Sequence, residues 1–186
     1  MNKKKNFRVL TDTTYNAILA NTTSPLELAI LLLLGLGMMR VSELITLLLE
    51  DYDPSWGMVD KRSSKTHARR WPLSDSIRYY LNMYLETERD RLVKEAIAEG
   101  RTVPAEMFIY RAKDGQIRPV NRWYIEKLFH RALERAGIDK DEFTLLDLRH
   151  YGIYVNYIRK AVSSTLTQSD LKKNTYYYMG KSEENE

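Results

Sequence analysis

A chain of 186 residues with 44% hydrophobic side chains can bury one core of ordinary size, and 29 Lys and Arg against 25 Asp and Glu leave it mildly basic, with a pI near 9.1. The lack of cysteine excludes disulfides, cysteine-ligated zinc and thiol nucleophiles. The longest apolar run, residues 28–39, is too short to span a bilayer, and no charged-then-apolar leader opens the chain; both imply an intracellular, cytoplasmic protein with no membrane partner.

Residues 1–10 read as a basic arm, in which Lys3, Lys4, Lys5 and Arg8 stand without an acid; a solvated arm and a polyanion contact are equally compatible with it. Ser24, Pro25 and Glu27 form a helix start, with a capping box ahead of the apolar run, which has the composition of a core helix. A second helix is predicted over 41–52, so that Arg40 falls at the junction of two largely buried helices, in a buried or cleft-facing position. Residues 54–74 change texture: turn residues flank short segments holding Val59 and Trp71, the pattern of a small hairpin sheet. Its loop carries a second acid-free basic cluster with Lys61, Arg62, Lys65, Arg69 and Arg70. Two such clusters suit a nucleic acid.

Helical periodicity returns from Ser74 to about Ala98, with Tyr80, Met83, Tyr84 and Leu92 as packing residues. Residues 100–119 read as a short strand and a turn, and Asn121 caps a helix whose Ile125, Leu128, Phe129 and Leu133 share one face. Thr144 and Asp147 form another capping box for a helix running to about Lys160, where Tyr151, Tyr154, Tyr157 and Ile158 make a stripe suited to core packing. Residues 163–170 read as a polar turn before a last short helix with Tyr176, Tyr177 and Tyr178, and 181–186 as an acidic tail. The fold class is mainly α with a small antiparallel β-hairpin sheet (α+β), in one domain over 11–180.

Three separated segments together resemble the tyrosine recombinases, the phage-integrase-like enzymes. "LLLLGLGMMRVSELITLLLEDYD" is similar to the segment around their first arginine, "SSKTHARRWPLS" to their hairpin lysine and strand exit, and "AGIDKDEFTLLDLRHYGIY" to their second-arginine segment. The resemblance covers residues 11–178 in the right order. It implies double-stranded DNA as partner, self-association on DNA during strand exchange, no metal and no other cofactor. By the same resemblance Arg40 and Arg149 bind the reacting phosphate, Lys65 protonates the departing 5' oxygen with Lys61 as runner-up, and Tyr177 is the nucleophile with Tyr178 as second choice.

The chemistry agrees with these residue types. Guanidinium stays charged and grips a phosphate through a planar fork, whereas a tyrosine, with a pKa near 10, attacks only where positive charge favours its phenolate. Taken alone, Arg40 also reads as an interhelical arginine and Arg149 as a helical surface arginine. Glu43, one turn after Arg40, either holds that guanidinium or sits where helix starts favour acids. Lys61, Arg62, Arg69 and Arg70 read as phosphate contacts.

Two positions depart from the family pattern. Leu146 stands where a histidine is usual three residues before the second arginine, and leucine moves no proton; His150 matches the family's structural histidine. Gln168 takes the place of a histidine or tryptophan that buttresses the phosphate, and can still donate a hydrogen bond. The resemblance therefore implies a site-specific recombinase working through a 3'-phosphotyrosine intermediate, with activity reduced by Leu146. The alternative is a catalytically degenerate DNA-binding protein that keeps the fold.

Overall fold

The computed structural model describes residues 9–61 and 69–163, and its first two helices are α1 (Asp12–Ala20) and α2 (Pro25–Leu34). Helix α2 is apolar on every side and sits at the centre, with Leu26 and Ala29 to Leu34 all buried. The expected cap forms: Ser24 Oγ accepts from the Glu27 N–H at 3.1 Å, and Glu27 Oε2 accepts from the Thr23 N–H at 2.9 Å. Glu27 is only 1% exposed, and its charge is met by Arg135, which reaches it from a helix far along the chain. A buried carboxylate without that partner would be strongly destabilising.

Beyond α2 the structure corrects two expectations. The apolar run does not stay helical to residue 39, because α2 ends at Leu34 and the chain turns through Gly35 to Met38. The helix expected over 41–52 shrinks to α3 (Val41–Leu44), followed by a 3-10 turn at Leu49–Asp51 and strand β1 (Tyr52–Asp53). Backbone pairing wins over helix propensity here: Met107 N–H donates to the Leu47 carbonyl at 2.8 Å, Leu49 N–H donates to Ala105, and Leu48 bridges Glu106. Thr46 helps to end the helix by bonding back to the Ser42 carbonyl at 2.9 Å.

Strands β2 (Met58–Lys61) and β3 (Arg69–Pro72) complete an antiparallel sheet in the order β1-β2-β3. Val59 pairs with both Tyr52 and Trp71, and all three are buried, so the inner face of the predicted hairpin is the face that packs. A nearly continuous rod follows: α4 (Asp75–Tyr84), a π turn at Leu85–Arg89, and α5 (Asp90–Ala98). Helix α4 contributes Ile77, Leu81 and Tyr84 to the main core; α5 packs Leu92 and Ala96 on Ile109 and Ile117 in a second, smaller core. Those isoleucines belong to the hairpin of β4 (Ile109–Arg111) and β5 (Ile117–Pro119).

Helix α6 (Arg122–Arg135) starts at Asn121, whose Oδ1 accepts from the Tyr124 N–H at 2.9 Å, and buries Ile125, Phe129 and Leu133. Helix α7 (Leu145–Ser163) starts at the expected Thr144–Asp147 box, with Asp147 Oδ2 accepting from both the N–H and the hydroxyl of Thr144 at 2.7 Å. Its tyrosine stripe enters the core only in part. Tyr151 is buried, whereas Tyr154, Tyr157 and Ile158 are half-buried. No helix among the described residues is long and apolar enough to cross a membrane.

Candidate functional site

Arg40 occupies the N-cap position of α3 with extended backbone, just after the Gly35–Met38 turn. Instead of being buried at a helix junction, its side chain is 60% exposed. Glu43 fixes its root: one carboxylate oxygen accepts from the Arg40 N–H at 2.7 Å, and the other lies 3.5 Å from Nη1. The residue thus serves both readings open to it, because a carboxylate that caps the helix start also holds the guanidinium. An exposed arginine held at its base can still extend its fork to an external anion.

Arg149 projects from α7 and is half-buried. Its Nε donates to the Met38 carbonyl at 3.1 Å, across 111 residues of sequence, and that carbonyl lies two residues from Arg40. The close approach depends on Gly152, one turn further along α7. A Cβ there would stand 1.9 Å from the Gly35 carbonyl oxygen, so only glycine lets this helix lie directly on the turn. The structure therefore brings Arg40, Glu43 and Arg149 around one short stretch of backbone.

Leu146 is a 55% exposed apolar group on the first turn of α7, one turn before Arg149. His150 is half-buried, and its Nδ1 is buried without a hydrogen-bond partner among the described residues. Arg70 pairs with Asp60 at 3.2 Å on the outer side of the sheet. Lys61 and Arg69 are cross-strand partners, the last residue of β2 and the first of β3. Arg62, Lys65, Gln168, Tyr177, Tyr178 and the basic residues of 1–8 lie outside the described residues.

Buried phenols elsewhere in the fold are poor nucleophiles. Burial pushes the Tyr15 and Tyr84 phenols up, and burial together with the carboxylate of Asp12 does the same to Tyr151. Tyr151 donates to Asp12 Oδ1 at 2.8 Å and packs on Tyr15 with the rings tilted and their centroids 4.4 Å apart, tying α1 to α7. Among the described residues, no group of three or more His, Cys, Asp or Glu is placed to hold a metal.

Sequence periodicity assigned α6 only its buried face. The opposite face carries Trp123, Lys127 and Arg131, with Lys140 beyond the helix; Lys127 Nζ lies 4.8 Å from the Trp123 ring centroid. Glu126 and Glu134 interrupt the cations. The signal was available in the sequence as an exposed tryptophan among basic residues at helical spacing.

The family model of the phage integrase family matches residues 8–171, and the chain belongs to that family, with the fold of a tyrosine recombinase catalytic domain. The match ends before the three tyrosines. Among individual proteins, the chain is 32% identical over 156 residues to the tyrosine recombinase XerD of Xanthomonas campestris pv. campestris, covering 77% of this chain and 45% of that protein. It is 34% identical over 112 residues to the XerD of Staphylococcus saprophyticus subsp. saprophyticus, covering 60% and 34%. The chain thus spans less than half the length of these curated relatives. The crystal structure of XerA recombinase superposes with a TM-score of 0.65 at 18% identity, over 95% of this chain and 67% of that one, and shares the fold.

Proposed function

We propose that the chain cleaves and rejoins double-stranded DNA through a 3'-phosphotyrosine intermediate. The observation that best supports this is the hydrogen bond from Arg149 Nε to the Met38 carbonyl, two residues before Arg40, which brings two permanent cations to one turn. In this reading the Tyr177 phenolate attacks phosphorus, a Tyr–O–P bond forms, and the bond to the 5' oxygen breaks. Lys65 protonates that oxygen as it leaves. The reverse attack by a 5' hydroxyl returns the proton and frees the tyrosine. Gln168 donates to a nonbridging oxygen, and Glu43 keeps Arg40 aimed.

Lys61, Arg62, Arg69 and Arg70 bind the DNA backbone around the hairpin. Arg70 must exchange Asp60 for a phosphate to do so. The basic face of α6 adds a second surface of the same sign, on which Trp123 can stack. Copies associate on DNA during exchange, as joining two duplexes requires more than one active site. The domain runs over 11–180, with the basic arm before it and the acidic tail after it, in a protein working at cytoplasmic DNA.

The alternative, a DNA-binding protein that keeps the fold without the reaction, is favoured by Leu146, which leaves the site without a proton-transfer group at that position. One experiment separates the two. Incubation with a nicked suicide DNA substrate should give a covalent protein–DNA band that Tyr177→Phe abolishes with DNA binding retained. Loss of the band only in Tyr178→Phe moves the nucleophile by one residue. Absence of any band on a verified target favours the binding protein.

A further inference from the structure

The turn between α2 and Arg40 contains an awkward residue. Met38 has a φ of 53°, and it is the one non-glycine with positive φ among the described residues. A side chain with a Cβ is disfavoured in that region, so the surrounding structure must hold the backbone there. Part of the hold is local, from the Met38 N–H to the Gly35 carbonyl at 2.9 Å and from Met39 to Leu33 at 3.0 Å. The rest comes from α7. Arg149 holds the Met38 carbonyl, and Asn156, two helical turns further along the same stripe as Arg149 and Gly152, reaches the turn with its side-chain amide.

Asn156 Nδ2 lies 2.9 Å from the Gly152 carbonyl on its own helix, 3.4 Å from the Leu36 carbonyl and 3.5 Å from Met38 Sδ. One amide therefore touches α7 and both sides of the strained turn. Asparagine is a poor residue for a helix interior, and its presence in α7 is accounted for by these hydrogen bonds rather than by propensity.

We infer that Asn156 is a positioning residue, which holds Met38 in its left-handed conformation and so sets the spacing between the guanidinium groups of Arg40 and Arg149. Its geometry stands on the fold alone; its consequence for catalysis rests on the recombinase reading. Asn156 touches no reacting atom in this scheme. It acts through the turn, and a residue that acts only through backbone conformation should become dispensable once the backbone no longer resists.

That property supplies the test. Asn156→Leu removes the amide, and Met38→Gly lets the turn adopt positive φ unaided. Exchange of the Arg149 Nε proton, followed by NMR of the arginine side chains, should quicken about tenfold in Asn156→Leu, as expected when a part-buried hydrogen bond is loosened. It should return to the parent value in the double variant Asn156→Leu/Met38→Gly. On the nicked DNA substrate, adduct formation should fall about tenfold or more in Asn156→Leu with DNA affinity unchanged, and recover in the double variant, because small misplacements of reacting groups carry such penalties.

Unchanged proton exchange in Asn156→Leu, or no recovery with glycine at position 38, overturns the inference in favour of a purely structural asparagine. If Asn156→Leu fails to fold, Asn156→Ser replaces it, being able to bond back along α7 but too short to reach the turn. A parent protein that forms no adduct counts against the recombinase reading, while the proton-exchange comparison still decides the role of Asn156.

Discussion

The two basic regions of this molecule are built in opposite ways. Arg149 meets the Met38 carbonyl across 111 residues, so the arginine junction exists only when α2, α3 and α7 have assembled around the core. Arg70 meets Asp60 across 10 residues, inside a hairpin whose register is set by neighbouring strands. A junction made of distant segments is as rigid as the core that unites them, and its geometry is what a reaction at phosphorus would use. A local hairpin can vary its charges without disturbing that core. Binding through phosphates tolerates such variation because it depends on how many phosphates are neutralised more than on the exact aim of each cation.

The difference can be broken most directly at Gly152. Gly152→Ala drives a Cβ into the Gly35 carbonyl and should cost about 3 kcal/mol of stability, measured by chemical denaturation, because backbone rather than a flexible side chain blocks the new atom. A similar substitution in the exposed hairpin should cost a few tenths of a kcal/mol at most. Equal losses in the two regions would erase the contrast. Leu146→His sharpens it from the other side. The position is exposed one turn before Arg149, so a histidine there should raise the rate of covalent adduct formation, by about 100-fold if proton transfer is limiting, with little change in DNA affinity. No gain would show that the missing group is supplied elsewhere.

In the hairpin, replacing Lys61, Arg62, Arg69 and Arg70 with alanine should flatten the plot of log affinity against log salt by about 0.9 for each phosphate no longer neutralised. Adduct formation at saturating DNA should persist. An unchanged slope would remove the hairpin from the interface. The smallest effect is expected behind the junction, at the tie between α1 and α7. Burial raises the Tyr151 pKa in the folded state, so the phenol stays protonated where the unfolded chain ionises. Its contribution is complete below the ordinary tyrosine pKa, near 10, and is lost as pH climbs above it. Tyr151→Phe should therefore lower stability near neutral pH by about 1 kcal/mol, through the missing bond to Asp12, and reduce the steepness of alkaline unfolding. Identical alkaline slopes for parent and variant would assign that unfolding to other groups.

Local rules were enough to place the helix starts. Ser24 and Asn121 each accept a helix N–H where their side chains predict, and the Asp147 carboxylate accepts from the Thr144 N–H at the start of α7, because capping is decided within four residues. The hairpin was legible for the same reason, with Val59 and Trp71 facing each other as its register requires. What could not be read was settled by distant partners. Residues 47–49 have helical composition, yet their backbone groups pair with residues 105–107, and nothing near them in sequence announces that pairing. The exposure of Arg40 depends on where α2 stops, and α2 stops where Gly35 meets Tyr15 and Gly152. The arginines were recognisable by their motifs; the turn that joins them, with Met38 in a conformation more usual for glycine, was not.

The π turn between α4 and α5 has a consequence of phase. In an uninterrupted helix, Leu92 and Ala96 would lie roughly 60° and 100° round the axis from Ile77. A π turn adds a residue to the winding and rotates all that follows by about 100°. The extra residue therefore returns the α5 stripe to the side that α4 faces, and one side of the rod serves two cores in succession, Tyr84 in the first and Leu92 in the second. Arg89 locks the joint from inside, donating through Nε to the Met107 carbonyl at 3.0 Å. Removal of a single residue from Leu85–Arg89 would restore regular winding and keep the α5 stripe on the β4–β5 hairpin, whereas removal of a second would turn it by about 100°. The joint thus absorbs a length change of one residue, and a second would swing α5 off the smaller core although none of that core's residues is lost.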